Sequence, residues 1–296
     1  MTRSWLFVAC VVLCPSMADA CWRPFRCCQP RPTPIQIVEP VKPAAVVLKE
    51  GEAPEGWCHI KGRVVFEGDP IPEQKEIPRS GGAYTEEWVV NKSNRGVKNV
   101  VVWLAPEPTA DEMVRLRDNG PNRLRDFPTF KLEQVYPDLS YKGEYTLAHA
   151  GVTRAYIPHI VAAQGGSKLT IRNSTNVPNN VKWLSRKNDE LNPLLQPFGT
   201  WQSASLVVEK FPIEIASDIF PWMKAWLRVF DHPYFAVTNE DGEFTIRFAP
   251  KGKLRLFVWQ ETAGLRNGKE GRFGEAIHVP SGKLDLGELK IKLPKW

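Results

Sequence analysis

Apolar and polar residues alternate with a period of two through most of the readable chain, the pattern of strands with one buried face. In "GWCHIKGRVVF" the alternation runs from Trp57 to Phe66 and is closed by the turn residues "EGDP". "VKNVVVWL", Val97 to Leu104, predicts a second strand, entered through the "NRG" turn. "TADEMVRLRDNG" breaks the period: Thr109 with Glu112 three residues on forms a capping box, predicting one short helix that ends near Gly120. The stretch that follows shows no clear period. Strands return in "AYIPHIVA" and "SKLTIRN", joined by a "QGG" turn, then in "SASLVVEKF" from Ser203 and in "MKAWLRVF". The tail reads most plainly. "YFAVTNEDGEFTIRFAPKGKLRLFVWQE" is strand, Asp-Gly turn, strand, Pro-Lys-Gly turn, strand, and "EAIHVPSGKLDLGELKIKL" adds two more. Short strands at regular spacing, and almost no helix, predict an all-β protein of sandwich architecture with one inserted helix.

The N-terminal part has a different character. Arg3 precedes the apolar run "WLFVACVVL", and "ADA" at Ala18 to Ala20 places small residues at a cleavage position, so residues 1–20 are expected to be a secretory signal peptide. The run is too short to span a bilayer, and no later segment reaches that length. Cys21 would then be the first mature residue. A lipid anchor there is a second reading, against which Ala18 and Asp19 argue. Prolines recur at Pro30, Pro32, Pro34, Pro40, Pro43 and Pro54, the composition of an extended tether over residues 21–56.

Cys10 and Cys14 leave with the signal, which leaves Cys21, Cys27, Cys28 and Cys58. Export makes disulfides available, and Cys27 or Cys28 is a candidate partner for Cys58. The chain after Cys58 holds no cysteine, so no thiolate nucleophile or thiolate metal ligand can come from it. A formal net charge of +6 without any Lys/Arg run gives no footprint for nucleic-acid binding.

Two family resemblances follow from quoted stretches. "VTNEDGEFTI" and "APKGKLRLFVW" make the tail, residues 231–296, resemble a carboxypeptidase regulatory-like (transthyretin-like) β-sandwich. "YIPHIVAAQGGSKLTIRNSTNVPNN" and "FPIEIASDIFPWMKAWLRVFDHPYF" make residues 57–230 resemble a cupredoxin, the plastocyanin-type Greek-key copper sandwich. The whole chain is similar to exported bacterial proteins that join the two. In the copper-binding relatives a His follows the "RNS" strand, and a later loop supplies Cys, His and Met. A blue copper site needs two imidazoles, a thiolate and a weak axial thioether. Carried over residue by residue, those slots are Asn179, Ser217, Phe220 and Met223. The resemblance therefore implies a copper-shaped loop that has lost its strong ligands, and no copper or other cofactor is expected.

The remaining chemistry is sparse. His59, His149, His159, His232 and His278 are scattered, and His159 and His232 are expected to make structural hydrogen bonds. No nucleophile elbow, paired-His helix or phosphate-binding glycine loop is present, so the chain is not expected to be an enzyme. Asp231 beside His232 invites a triad reading, but neighbours on a strand point to opposite faces. Phe220, Pro221 and Trp222 would present an apolar cluster at the sandwich end, a candidate interaction face. The leading expectation is an exported, periplasmic or extracellular, non-enzymatic binding or structural protein of the cell envelope, its partner an envelope protein or a glycan. Two alternatives stand beside it. One is a periplasmic electron carrier with an unusual copper site. The other is a carbohydrate-binding module using Trp183, Trp201 or Trp222 as sugar platforms.

Overall fold

The computed structural model describes residues 53–77, 84–118, 127–136, 139, 143–150, 155–267 and 270–293. The expected signal peptide, Cys21, Cys27, Cys28 and the tether up to residue 52 lie outside the described residues.

The described chain is all-β apart from Ala110–Asp118, the one α-helix, and short 3₁₀ turns. That helix starts where the capping box puts it. Thr109 N donates to Glu112 Oε2 at 2.8 Å, and Glu112 N donates back to Thr109 Oγ1 at 3.3 Å. Thr109 donates to the Glu112 carboxyl from both its N–H and its hydroxyl, and the two bonds hold that carboxyl below its usual range. No described helix is long and apolar enough to cross a membrane.

Two pairs of sheets make two sandwiches. In the first, Trp57–Phe66 is the central strand, antiparallel to Glu243–Pro250 and parallel to Gly282–Ile291. The facing sheet orders Phe235–Val237, Val101–Pro106 and Gly252–Gln260, the last also pairing with Gly264–Leu265 and Glu275–Val279. Ile60, Val64, Val102, Leu104, Ile246 and Leu256 are among the side chains that fill the space between. The "NEDG" turn is fixed locally. Asn239 Oδ1 accepts from Asp241 N at 3.0 Å and Glu243 N at 2.9 Å. Gly242 sits at φ +75° with Val64 O only 2.2 Å from where a Cβ would be, so no other residue fits.

In the second sandwich one sheet orders Thr200–Gln202, Lys168–Asn173, Glu144–Ala150 and Ala155–Ile157. The other orders Ile160–Gln164, Lys224–Phe230, Glu209–Ala216 and Lys182–Trp183. Leu147, Val161, Leu169, Ile171, Ile213 and Leu227 are in its core.

Three sequence expectations are corrected here. Trp57–Phe66 and Val101–Pro106 were expected in the first of two consecutive domains, 57–230, yet they pair with strands of 231–296. The second sandwich, from Glu144 to Phe230, is an insert between two strands that are hydrogen-bonded neighbours, Val101–Pro106 and Phe235–Val237. The tail's strands do not adjoin without them: Trp57–Phe66 lies between Glu243–Pro250 and Gly282–Ile291, and Val101–Pro106 between Phe235–Val237 and Gly252–Gln260. Second, the unpatterned middle contains the strand Glu144–Ala150, parallel to Lys168–Asn173. Third, Ser203–Val208 is not a strand, and the expected one begins at Glu209. Ser203 instead accepts Leu169 N on its hydroxyl at 2.9 Å, and Leu206 N bonds Ser167 O at 2.7 Å.

A third apolar cluster joins the sandwiches. Val101, Trp103, Ala105 and Phe257 pack with Ile160 and Phe230 of the insert and with Leu116 of the helix. Val101 to Ala105 are thus buried on both faces, the reason that run is apolar without alternation. A polar tie accompanies the packing. Glu261, its side chain 6% exposed, places Oε1 2.5 Å from His159 Nε2 and accepts Trp226 Nε1 on Oε2 at 2.7 Å.

Cys58 has no disulfide partner among the described residues; it is wholly buried in the first core, and burial raises its pKa.

Candidate functional site

Three of the four slots read from the sequence converge at one end of the inserted sandwich. Asn179 ends the loop after Lys168–Asn173, Ser217 follows Glu209–Ala216, and Met223 precedes Lys224–Phe230. All three are buried: Asn179 and Met223 are each 1% exposed and Ser217 is 4%. Ser217 Oγ lies 2.7 Å from Asn179 Oδ1 and 3.0 Å from Asn180 Oδ1, so its one proton goes to this pair of amide oxygens. Its lone pairs accept Ile219 N at 3.2 Å and Phe220 N at 3.0 Å. Asn179 Nδ2 reaches Met223 Sδ at 3.4 Å, and Met223 N bonds Phe220 O at 2.8 Å.

The surroundings hold these groups rigidly. Asn180 Oδ1 accepts Asp218 N at 2.9 Å and Ile219 N at 3.1 Å, which pins the 217–223 loop to the 173–180 loop. The Tyr156 hydroxyl donates toward Asn180 O at 3.1 Å and Ala216 O at 3.0 Å, bridging the same two segments, and burial raises the phenol pKa. Asn173 Nδ2 contacts the carbonyls of Val177, Leu195 and Gln196, while its Oδ1 accepts from Thr175 N and Oγ1. At the rim, Asp218 meets Lys182 Nζ at 3.0 Å and Asn192 Nδ2 at 3.0 Å, and these bonds hold its carboxyl below the usual range.

Phe220, the fourth slot, does not enter the cluster as a polar group. It is half-buried against the core, its ring 5.5 Å from that of Trp222. Pro221 is exposed and Trp222 half-buried. A segment of the chain's own, Tyr84 to Glu87, lines a small cavity together with His159, Trp222 and Met223, so one side of the loop faces another part of the same molecule.

His149 is the residue that the sequence reading did not place. It lies on the unread strand, wholly buried, with Nδ1 3.4 Å from Asn179 Nδ2 and its ring 5.0 Å from that of Tyr156. Its Nε2 is buried without a hydrogen-bond partner. Burial lowers its pKa to about 4, so the ring is neutral at pH 7. Along the strand Tyr145, Leu147 and His149 share the core face, but Thr146 and Ala148 opposite them blur the alternation, so the sequence marks His149 only weakly.

Of the other candidates, Trp183 is 2% exposed and cannot be a sugar platform, while Trp201 is half-buried against the same core. Asp231 and His232 sit in a bend and not on a strand, so the opposite-faces argument fails. Asp231 Oδ1 is 3.8 Å from His232 Nε2, and His232 Nδ1 accepts Tyr234 N at 3.1 Å.

The donor set does not fit blue copper. That centre needs a thiolate and two imidazoles. Position 217 offers a neutral hydroxyl engaged on both its donor and acceptor sides, and position 220 offers a ring with no lone pair. Met223 Sδ faces an amide N–H, and His149 supplies a single imidazole. Among the described residues no group of three or more His, Cys, Asp or Glu side chains gathers as a metal set.

No protein-family model matches the chain, and no curated protein matches it. Solved structures of copper proteins are similar to about a third of the chain at low identity. An amicyanin in the Cu(I) form is 14% identical, with 29% of this chain matching 80% of that one at a TM-score of 0.26. A purple cupredoxin from Nitrosopumilus maritimus is 15% identical, with 29% of this chain on 98% of that one at 0.24. A copper-containing nitrite reductase from Thermus scotoductus is 12% identical over 29% of this chain and 22% of its own, at 0.26. The sheets and cores described above make the chain an all-β protein built from two sandwiches.

Proposed function

We propose that this chain is a non-enzymatic, exported binding or structural protein of the cell envelope, built around a cupredoxin-like sandwich that works without copper. One observation carries the reading. Where a metal would be held, Ser217 Oγ and Asn179 Oδ1 are 2.7 Å apart and Asn179 Nδ2 faces Met223 Sδ at 3.4 Å, so the polar groups bind one another. A buried cluster satisfied in this way costs little to keep and stiffens the loop that it underlies. The loop then offers Phe220, Pro221 and Trp222 as a docking face for an envelope protein or a glycan, aromatic residues being common anchors of interfaces.

A second reading is favoured by the unpartnered Nε2 of His149, the one buried imidazole beside Met223 and Asn179. On that reading the sandwich would hold a metal ion through an unusual site. One experiment separates the two. Protein produced with excess copper and then desalted should contain less than a stoichiometric amount by elemental analysis and show no intense visible band. Stoichiometric copper that His149→Leu removes would establish the second reading instead.

A further inference from the structure

The insert packs on one sheet of the first sandwich, through Trp103 and Phe257. On the other sheet Ile60, Ile246 and Leu284 point toward the core, which places their neighbours His59, Lys61, Arg247 and Lys283 on the outer face. In the parallel pairing His59 lies opposite Lys283. In the antiparallel pairing Cys58 matches Ala249 and Ile60 matches Ile246, so His59 faces two residues, Arg247 and Phe248. This is a β-bulge, the device by which a strand re-aims a side chain. Phe248 carries its strain at φ +50°, a left-handed backbone that bulky residues rarely adopt.

The bulge fixes the imidazole. Phe248 N donates to His59 Nδ1 at 3.4 Å, and the two rings meet edge to face with centroids 4.5 Å apart. Nδ1 is thereby the acceptor, and the neutral ring carries its proton on Nε2. Burial pushes the His59 pKa below its ordinary value, and Arg247, Lys283 and Lys61 push it the same way, with no carboxylate opposing them. Arg63, one row further on, has Glu288 at 3.6 Å. Among the described residues, by contrast, no carboxylate is within ion-pair distance of Lys61, Arg247 or Lys283, all three exposed. Asp285, opposite Lys61 in register, accepts Gly287 N on Oδ1 at 2.8 Å. Strained backbone of this kind gathers at ligand sites, and here it orients an N–H among three unpaired cations.

We propose that this outer face binds a phosphate monoester group, held by Arg247, Lys283 and Lys61 over the Nε2–H of His59. Neighbouring strands lie about 4.8 Å apart, so side chains as long as Lys283 and Arg247 reach one group above the His59 between them. A phosphate offers three acceptor oxygens and up to two charges to these donors, where a carboxylate offers two oxygens and one charge. The inference stands apart from the 217–223 loop and from the question of copper.

Titration of the full chain with sodium sulfate at constant ionic strength tests it, read from the His59 imidazole resonances, which His59→Gln identifies by their loss. Sulfate stands in for the phosphate group because it keeps both charges while histidine titrates. The expected result is a saturable one-site shift, reproduced by inorganic phosphate, with acetate weaker by about tenfold or more. Saturating sulfate should raise the His59 pKa, since the anion offsets the cations that lower it, so sulfate should bind more tightly as pH falls. Arg247→Gln and Lys283→Gln should each weaken sulfate by about fivefold and, with no anion present, raise the His59 pKa. Lys98→Gln should do neither. Vesicles of phosphatidylcholine with and without phosphatidate separate the sources: retention on phosphatidate assigns the group to a lipid headgroup, and no retention assigns it to a soluble ester. Equal shifts by acetate and sulfate, no saturation, or unchanged sulfate binding in both variants would each overturn the proposal. Vesicle retention without a saturable sulfate response would mean diffuse attraction to an anionic surface, and would overturn it too.

Discussion

An amide stands at position 179 and a hydroxyl at position 217, the positions that the sequence resemblance assigns to two copper ligands. Each can donate and accept at once, so the pair closes on itself with a 2.7 Å hydrogen bond and needs no ion between. Converting the cluster back is therefore a direct test of the register. Asn179→His, Ser217→Cys and Phe220→His together should yield a protein that binds copper and shows an intense visible band, because a thiolate and imidazoles would replace the engaged polar groups. Elemental analysis and absorption check this, and a folded, colourless triple variant would count against the assignment of Asn179. His149 makes a second prediction. Its pKa falls from an ordinary value near 6.5 to about 4 in the folded protein. Between those values the unfolded chain takes up a proton that the folded one refuses. Stability should thus fall as pH drops from 6.5 to 4, by an upper figure of about 3 kcal/mol, and level off below. His232, lowered to about 4 by burial, adds in the same direction. Denaturant midpoints across that range should flatten in part in His149→Leu. An unchanged slope would show that the ring is not the source.

At the scale of elements, legibility tracked local signal. The capping box, the "NEDG" turn and the alternating tail were readable because each is enforced within a few residues by its own hydrogen bonds. Glu144–Ala150 was not, because Ala148 and Thr146 on its outer face are nearly as apolar as its inner face, which blurs the period. Ser203–Val208 misled in the opposite way. Its apolar residues suit a strand, but Ser203 and Leu206 give their polar groups to the Ser167–Leu169 stretch and the segment turns away. The four slots of the candidate site came from the family resemblance, carried over residue by residue, and three of them lie together in the structure. His149 was left out because the parallel pairing that brings it there, Glu144–Ala150 against Lys168–Asn173, is a tertiary fact.

At the scale of the whole molecule, the order of sandwiches along the chain is nested rather than consecutive, and nothing local announces this. Fragments tell the arrangements apart. Residues 231–296 expressed alone should not fold, since Trp57–Phe66 and Val101–Pro106 supply one central strand to each sheet of that sandwich. Circular dichroism and a cooperative melt for that fragment would contradict the sheet pairing. An excised 143–230, by contrast, carries both sheets of its own core and should be collapsed, though less stable for the exposure of Ile160, Trp226 and Phe230.

The parallel pairing of Trp57–Phe66 with Gly282–Ile291 has a mechanical consequence. Tension applied through the segments before residue 57 and after residue 291 pulls these two strands in opposite directions along their length. Their backbone hydrogen bonds are then loaded in shear, many at once, and cannot unzip singly. The insert meanwhile is attached at hydrogen-bonded neighbours, so no load reaches it while that sheet is intact. A molecule stretched between its ends should therefore break first at the outer sandwich, at high force, and only afterwards release the insert. Residues 144–230, at about 3.4 Å each, would add roughly 300 Å of length in that second step. Single-molecule stretching reads the order directly, and an insert that lengthens first would mean the load takes another path.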